Sequence, residues 1–577
     1  MIKKLIINYF IKKNIGFLIL IILLAALFCS PAFVLGKTFF AFDNLSRYYP
    51  WKSLEKNVPV NNPLITDPVN LSVLAHKYFK DSIKNGEIPL WNKNILCGLP
   101  FYGYYTNLLS AVFYYMFSIS TAHDLLLFIH LAAAGVFMFL FMNNILKCKI
   151  ASFVSSVAWM FNGYNMVWFE WESFLMFAAI LPATLLVIDK YFSKRSVVLW
   201  LMIIFCFGYT ICINFAHIAI YQFLFIGVYI LFNFICKMRE NRFELDYFLK
   251  SPIECQAENL LSKARNKGRF VHNIKECQKI FTGLATASCL SLILGINFFL
   301  SSFEMLGYGQ RGVLGFNELF VKTGQLPFKY LGTLLFPHLF GNPATQLTLT
   351  PAMYVTQVYN NYNELCIYAG AVALFLVFIS FVRFRKELRW SFFFLVAVYS
   401  LLAAMGSSLY YPLAKFIPGL SQTTPTRIIY IFAFCMAAMA GIGMKAIILS
   451  RNKKIYISII SGIPLILAAL LAVMVNTDSG LKYIISSRFI SYNSELYNRA
   501  ITYLSWNSCH IWEPMIYIFE CFLFIQVALW CRGKAKRLAL LFIVLVMSVE
   551  LISHGWNYNS AYLIRDIMLA GNDLYLF

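Results

Sequence analysis

Long apolar runs separated by short polar connections organise the whole chain. Runs long enough to cross a bilayer recur at roughly 14–36, 122–146, 150–169, 172–192, 196–215, 217–235, 280–300, 363–382, 390–406, 428–448, 455–475, 514–531 and 537–553. They predict an all-α polytopic membrane protein with about thirteen transmembrane helices. A shorter apolar piece, 107–119, falls short of a span and reads as an interfacial or re-entrant helix. The first run has a longer apolar core than a signal peptide and no small-x-small cleavage pattern, so it reads as a retained span.

Charge gives this pattern a direction. Lys and Arg gather at Lys3, Lys4, Lys12 and Lys13, at Lys147 and Lys149, at Lys194 and Arg195, at Arg383 to Arg389, at Arg451 to Lys454 and at Arg532 to Arg537. If the spans alternate, all these clusters share one side, which the positive-inside rule makes cytoplasmic. The expectation is a multi-pass plasma-membrane protein with its N-terminus in the cytoplasm and its C-terminus outside. One polytopic domain covers 1–553. It includes a first outer loop at 37–121, a basic cytoplasmic loop at 236–279 and a second large outer loop at 301–362. Residues 554–577 form a short outer tail.

Composition agrees with this class: 60% of the 577 residues are hydrophobic and 13% are charged. The net charge of +22 follows from basic loops facing an anionic leaflet, so nucleic acid is not an expected partner and membrane lipid is. The cysteines show no Cys-x-x-Cys and the histidines no zinc-type spacing. There is no Walker motif and no Gly-x-Gly-x-x-Gly, hence no nucleotide site. Energy or an activated group must then come from a membrane gradient or from a substrate already activated within the bilayer. Transporters and lipid-linked transferases remain.

The first outer loop carries the densest chemistry. Phe42-Asp43-Asn44-Leu45-Ser46-Arg47-Tyr48-Tyr49-Pro50-Trp51 opens it, Thr66-Asp67-Pro68 follows, and a helix is expected around 70–84. Gly86-Glu87-Ile88-Pro89-Leu90-Trp91-Asn92 then leads to Gly98-Leu99-Pro100, a density of Pro, Gly, Trp and Asn that shapes a folded loop. This combination resembles the YfhO-like bacterial membrane proteins of the GT-C glycosyltransferase superfamily. Phe161-Asn162-Gly163-Tyr164, Asn214-Phe215-Ala216-His217 with Gln222, Phe336-Pro337-His338-Leu339-Phe340-Gly341, Asn363-Glu364 with Tyr368-Ala369-Gly370, and Pro425-Thr426-Arg427 follow the same family's order of features.

The resemblance implies a GT-C-like fold and an outer-leaflet polyprenyl-phosphate-linked sugar as donor. It also implies an extracytoplasmic acceptor and an acid on the first loop near the membrane. Asp43 matches that acid and is the expected general base of an inverting transfer, with Asp67 as the second candidate catalytic residue. Family members often continue into an outer domain after the last span, a role that another element or partner is expected to fill here. The lipid-phosphate leaving group calls for cations, and arginine suits it through its planar fork. Arg427 is the first candidate, with Arg311 and Arg47 behind it. Trp91, Tyr102, His217, His338 and Glu364 are candidate sugar or cavity contacts. The metal is unassigned, since Asp43 and Asp67 could share Mg2+ or Mn2+ but no tight Asp-x-Asp supports it.

Each candidate has an ordinary structural alternative. Asp43 reads also as a turn or cap acid, Asp67 as a turn former before proline, Arg427 as an interfacial anchor, and the aromatics as an interfacial belt. The rival function is a transporter or flippase for a lipid-linked saccharide, and a weaker third is a scaffold of envelope assembly.

Overall fold

The computed structural model describes residues 14–54, 59–95, 97–101, 108–213, 215–249, 256–297, 324–345, 362–383, 388–417, 419–450, 453–484 and 501–563, with residues 300 and 498. In chain order the main helices are α1 (Ile15–Phe28), α2 (Val73–Lys84), α3 (Leu108–Met116), α4 (Ile119–Leu146), α5 (Lys149–Met160), α6 (Gly163–Val167), α7 (Glu172–Ser193) and α8 (Val197–Ile211). They continue as α9 (Ala216–Leu249), α10 (Gln256–Leu294), α11 (Ala371–Ser380), α12 (Leu388–Ala404), α13 (Ile429–Ile448), α14 (Lys454–Val475), α15 (Cys509–Trp530) and α16 (Gly533–Tyr558). Among the described residues, strands are confined to two-residue pieces, β1 (Lys37–Thr38), β2 (Trp91–Asn92), β3 (Leu99–Pro100) and β4 (Tyr562–Leu563).

Among the described residues, eight helices are long and apolar enough to cross a membrane, namely α4, α7, α13 with its leading turn, α14, α15, α16 and the apolar parts of α9 and α10. The shorter apolar helices α1, α8, α11 and α12 coincide with four more of the predicted runs. The exposed faces are themselves oily: Ile15, Ile19, Leu23 and Leu27 make a stripe along α1, and Ile455, Ile459, Ile466 and Leu470 one along α14. An apolar exterior at helical spacing is what a lipid solvent selects.

The expected span 150–169 is not one helix. It breaks at Asn162, whose Oδ1 accepts from Asn165 N at 3.0 Å to cap α6, while its Nδ2 donates to Trp159 O at 2.6 Å and closes the end of α5. Gly163 N donates to Tyr368 O at 2.7 Å, and a Cβ at Gly163 would stand 2.7 Å from that same oxygen. Two other boundaries differ. The first run ends as a helix at Phe28, with Pro31 opening a separate turn, and much of the predicted loop 236–279 is helical, because α9 runs on to Leu249 and α10 starts at Gln256.

The centre of the body is α13, packed between α5, α11 and α12. Glycine permits this closeness: a Cβ at Gly443 would collide with Leu376 O of α11, and one at Gly441 with Ser155 of α5. At one pole the first loop is held down by the body. Asp124 on α4 accepts from Thr38 Oγ1 at 3.3 Å and Phe39 N at 3.0 Å, and β1 pairs antiparallel with β4, Thr38 opposite Tyr562. The expected helices near 70–84 and 107–119 are present as α2 and α3.

Candidate functional site

Asp43 lies in a short 3-10 turn, Phe42–Arg47, and is 2% exposed. The turn is fixed by its neighbours. Asn44 Nδ2 donates to Asn62 O at 3.0 Å and Ile65 O at 3.1 Å, and Asn62 Nδ2 donates to Tyr558 O at 3.0 Å, which ties the loop to the end of α16. Asp43 Oδ2 accepts from Asn61 N at 2.9 Å, whereas its Oδ1 is buried with no hydrogen-bond partner among the described residues. Burial raises the carboxyl above the usual carboxylate range, against the lowering pull of the Asn61 N–H and the Tyr562 hydroxyl. A buried carboxylate with a spare lone pair is a base waiting for a proton.

The second acid of the loop points elsewhere. Asp67 is exposed as a residue, packing around its carboxyl raises its pKa, and its charge acts on Glu170. Glu170, beyond α6, is 5% exposed. Its Oε1 accepts from Asn363 Nδ2 at 3.2 Å, its Oε2 has no partner, and burial, with Asp67 adding to it, holds its pKa well above the ordinary value. The two acids Asp67 and Glu170 thus lie within electrostatic reach of each other. No group of three or more side chains suited to a metal ion occurs among the described residues.

Arg427 lies in the 3-10 turn Pro425–Ile428 that leads into α13 and is gripped rather than free. Its Nε and Nη2 donate to Glu364 Oε1 at 2.9 and 2.7 Å, and its Nη1 lies 2.5 Å from His217 Nε2. Arginine has no lone pair to offer, so His217 Nε2 is the acceptor in this contact. Thr424 and Thr426 hydroxyls donate to Glu364 Oε2 at 3.4 and 3.5 Å, and the guanidinium carbon stands 5.5 Å from the Trp168 ring centre. Of the five guanidinium N–H groups, two remain uncommitted by these bonds. Phe215, beside His217, has a φ of +132°, a conformation costly for an aromatic residue and characteristic of functional sites.

Three groups of residues thus converge at the first-loop pole. Tyr558 donates to Asn363 Oδ1, joining the loop anchor to the Asn363–Glu364 turn, and Asn559 Nδ2 donates to Met166 O at 2.6 Å, joining it to α6. Asp43, Asp67, Glu364, Arg427 and His217 all belong to this connected framework. Arg47 belongs to its edge only: it donates to Pro63 O at 2.8 Å and Asn44 Oδ1 at 3.3 Å, and among the described residues it forms no ion pair with Asp43. Trp91 is exposed on the β2–β3 hairpin, its carbonyl accepting from Tyr78 OH at 2.6 Å. His338 sits in another cluster, its ring 5.4 Å from those of His510 and His554 and its Nδ1 3.2 Å from Asn342 Nδ2. Arg311 and Tyr102 lie outside the described residues.

Glu170, Trp168 and Tyr562 were not among the candidate residues, and Tyr164 entered only within the Phe161–Tyr164 motif. Tyr562 reaches Asp43 through a strand pairing across the whole chain, for which two residues give no pattern. Comparison of the chain with family models, curated proteins and solved structures gave no match. What fold and site define together is an all-helical chain with multiple membrane-crossing candidates and a buried, acid-rich polar site at one pole.

Proposed function

We propose that this protein is an integral-membrane glycosyltransferase of GT-C type. It moves a sugar from a polyprenyl-phosphate carrier to an extracytoplasmic acceptor such as a cell-envelope polymer, glycolipid or protein. The first-loop pole faces the outer side of the plasma membrane. The observation that carries this reading is Asp43, a nearly buried carboxylate with one unpartnered oxygen and a raised pKa on the first loop.

In the proposed step the acceptor hydroxyl gives its proton to Asp43 as its oxygen attacks the anomeric carbon. The bond from that carbon to the phosphate oxygen breaks, the lipid phosphate leaves with the electron pair, and the anomeric configuration inverts. The two uncommitted N–H groups of Arg427 are available to the phosphate oxygens, while Glu364, His217 and Trp168 hold the guanidinium in position.

A second reading, a flippase for a lipid-linked saccharide, draws support from the helix broken at Asn162, since transporters build sites on discontinuous helices. One experiment separates the two. Purified protein in liposomes receives labelled polyprenyl-phosphate sugars and envelope acceptor, wild type beside Asp43→Asn. Label entering acceptor only with the wild type supports the transferase. Label crossing the bilayer unchanged with both proteins supports the flippase.

A further inference from the structure

The segment after the Asn162 break holds an unusual concentration of unmet hydrogen-bonding capacity. Tyr164 OH, Trp168 Nε1 and Glu170 Oε2 are all buried without a partner, on residues 2%, 5% and 5% exposed. Buried polar atoms in proteins are nearly always paired, and an orphan costs about 1–3 kcal/mol, so these three, with Asn165 Oδ1 as a fourth within the same seven consecutive residues, call for a cause. Tyr164 and Trp168 are one helical turn apart, with ring centres 6.4 Å apart, so they share a side of α6. Arg427 lies over Trp168, and Asn363, the neighbour of Glu364, holds the other oxygen of Glu170. The three orphans therefore border the Arg427 grip.

The chemistry of the three atoms selects a ligand. An indole N–H only donates, a carboxylate oxygen only accepts, and a phenol does either. A phosphate would satisfy the indole but be repelled by the carboxylate. An ammonium group would satisfy the carboxylate but leave the indole unmet. Hydroxyl groups on adjacent carbons answer all three, because each donates one hydrogen bond and accepts others. Stacking is not the mode of contact, because the Trp168 ring is stacked on Phe174 at 4.4 Å on one side and has Arg427 beside it. Recognition here runs through ring edges.

We propose that Tyr164, Trp168 and Glu170 form a sugar subsite that binds the hydroxyls of the donor's glycosyl ring, next to the Arg427 end that takes its phosphate. This rests on the transferase reading above and names the part of the substrate that the α6 segment reads.

The test measures binding without acceptor, so it does not depend on turnover. Full-length protein in nanodiscs is titrated with a short-chain prenyl-phosphate hexose and with the same prenyl phosphate lacking the sugar. The ratio of the two affinities isolates the sugar's contribution. In the wild type the glycosylated lipid should bind at least about tenfold tighter, the scale of one or two good hydrogen bonds. Tyr164→Phe and Glu170→Gln should each pull the ratio toward one while leaving the bare lipid phosphate affinity within about twofold, and Trp168→Phe should pull the ratio toward one as well. Tyr164→Phe should also melt at or above the wild-type temperature, since it deletes an unpaired hydroxyl. A wild-type ratio near one, binding of neither lipid, or a ratio that all three variants leave intact overturns the subsite. A persistent ratio that the variants collapse, in a protein that never transfers sugar, would retain the subsite and overturn the transferase instead.

Discussion

Two buried arginine–carboxylate pairs stand at opposite poles of the helical body, and they are finished differently. At the pole away from the first loop, Asp189 Oδ2 accepts from Arg389 Nη1 at 2.9 Å and Asn144 Nδ2 at 3.1 Å, and Oδ1 from Tyr229 OH at 2.8 Å. Both oxygens are used, and no orphaned side-chain atom belongs to these four residues. At the first-loop pole, about 26 Å away along α7, Arg427 grips Glu364 just as closely. Around that grip, however, Asp43, Tyr164, Trp168 and Glu170 each keep a buried atom unpaired. A network built only for stability closes its hydrogen bonds, as the Asp189 cluster does. Unpaired groups occur elsewhere too, Ser450 beyond the far end of α13 among them, but those bordering Arg427 share one grip, where a substrate can complete them.

The largest effect that would sharpen this contrast is chemical. Asp43→Asn keeps shape and removes the proton acceptor, so transfer should fall by about 10²–10⁴-fold. The melting temperature should hold or rise, because a desolvated charge is gone. Its counterpart, Asp189→Asn, should do the reverse. It leaves Arg389 without its counterion and costs about 2–3 kcal/mol, the low end for a buried pair because Arg389 is partly exposed. Transfer per folded molecule should be unchanged. Thermal melts and liposome transfer assays on both variants decide it, and equal loss of transfer in folded Asp189→Asn would dissolve the distinction between the poles.

A smaller effect probes the grip. Arg427→Lys supplies charge but not the fork that meets Glu364 through two nitrogens and His217 through the third. Donor KM should rise about tenfold and stability fall by about 1–3 kcal/mol. An unchanged KM in a folded protein would remove Arg427 from the phosphate role.

The periodicity of the sequence made the helical body legible because lipid-crossing helices must each carry about twenty apolar residues, a signal local to every segment. It could not show that the 150–169 run breaks, since Asn162 and Gly163 interrupt it with only two residues and the break depends on Tyr368, far along the chain. The site divides the same way. Asp43 and Arg427 stood out because charge in an oily chain is conspicuous. Glu364 was legible as a residue but not as the partner of Arg427, because that pairing is set by packing. Arg47 shows the same limit: the 42–47 turn is 3-10, so the α-helical facing of residues four apart does not bring it to Asp43.

The smallest effect follows from burial of acids at the first-loop pole. The Asp43, Asp67 and Glu170 carboxyls are all raised by desolvation above their unfolded values, which lie near about 4. Between those values and the raised native ones the folded state holds protons that the unfolded state has released. Stability is therefore full below about pH 4 and declines as pH climbs, by at most about 1.4 kcal/mol per pH unit for each group. Asp43→Asn combined with Glu170→Gln removes two of the three groups and should flatten the decline, an effect that melting temperatures taken at intervals from pH 4 to 8 would reveal. Bound donor should oppose the same decline in the wild type, because a sugar hydroxyl meeting Glu170 Oε2 stabilises its ionised form. A slope that neither the double variant nor the donor alters would mean that these acids are solvated in the membrane-embedded protein, and the difference between the two poles would then lie in packing alone.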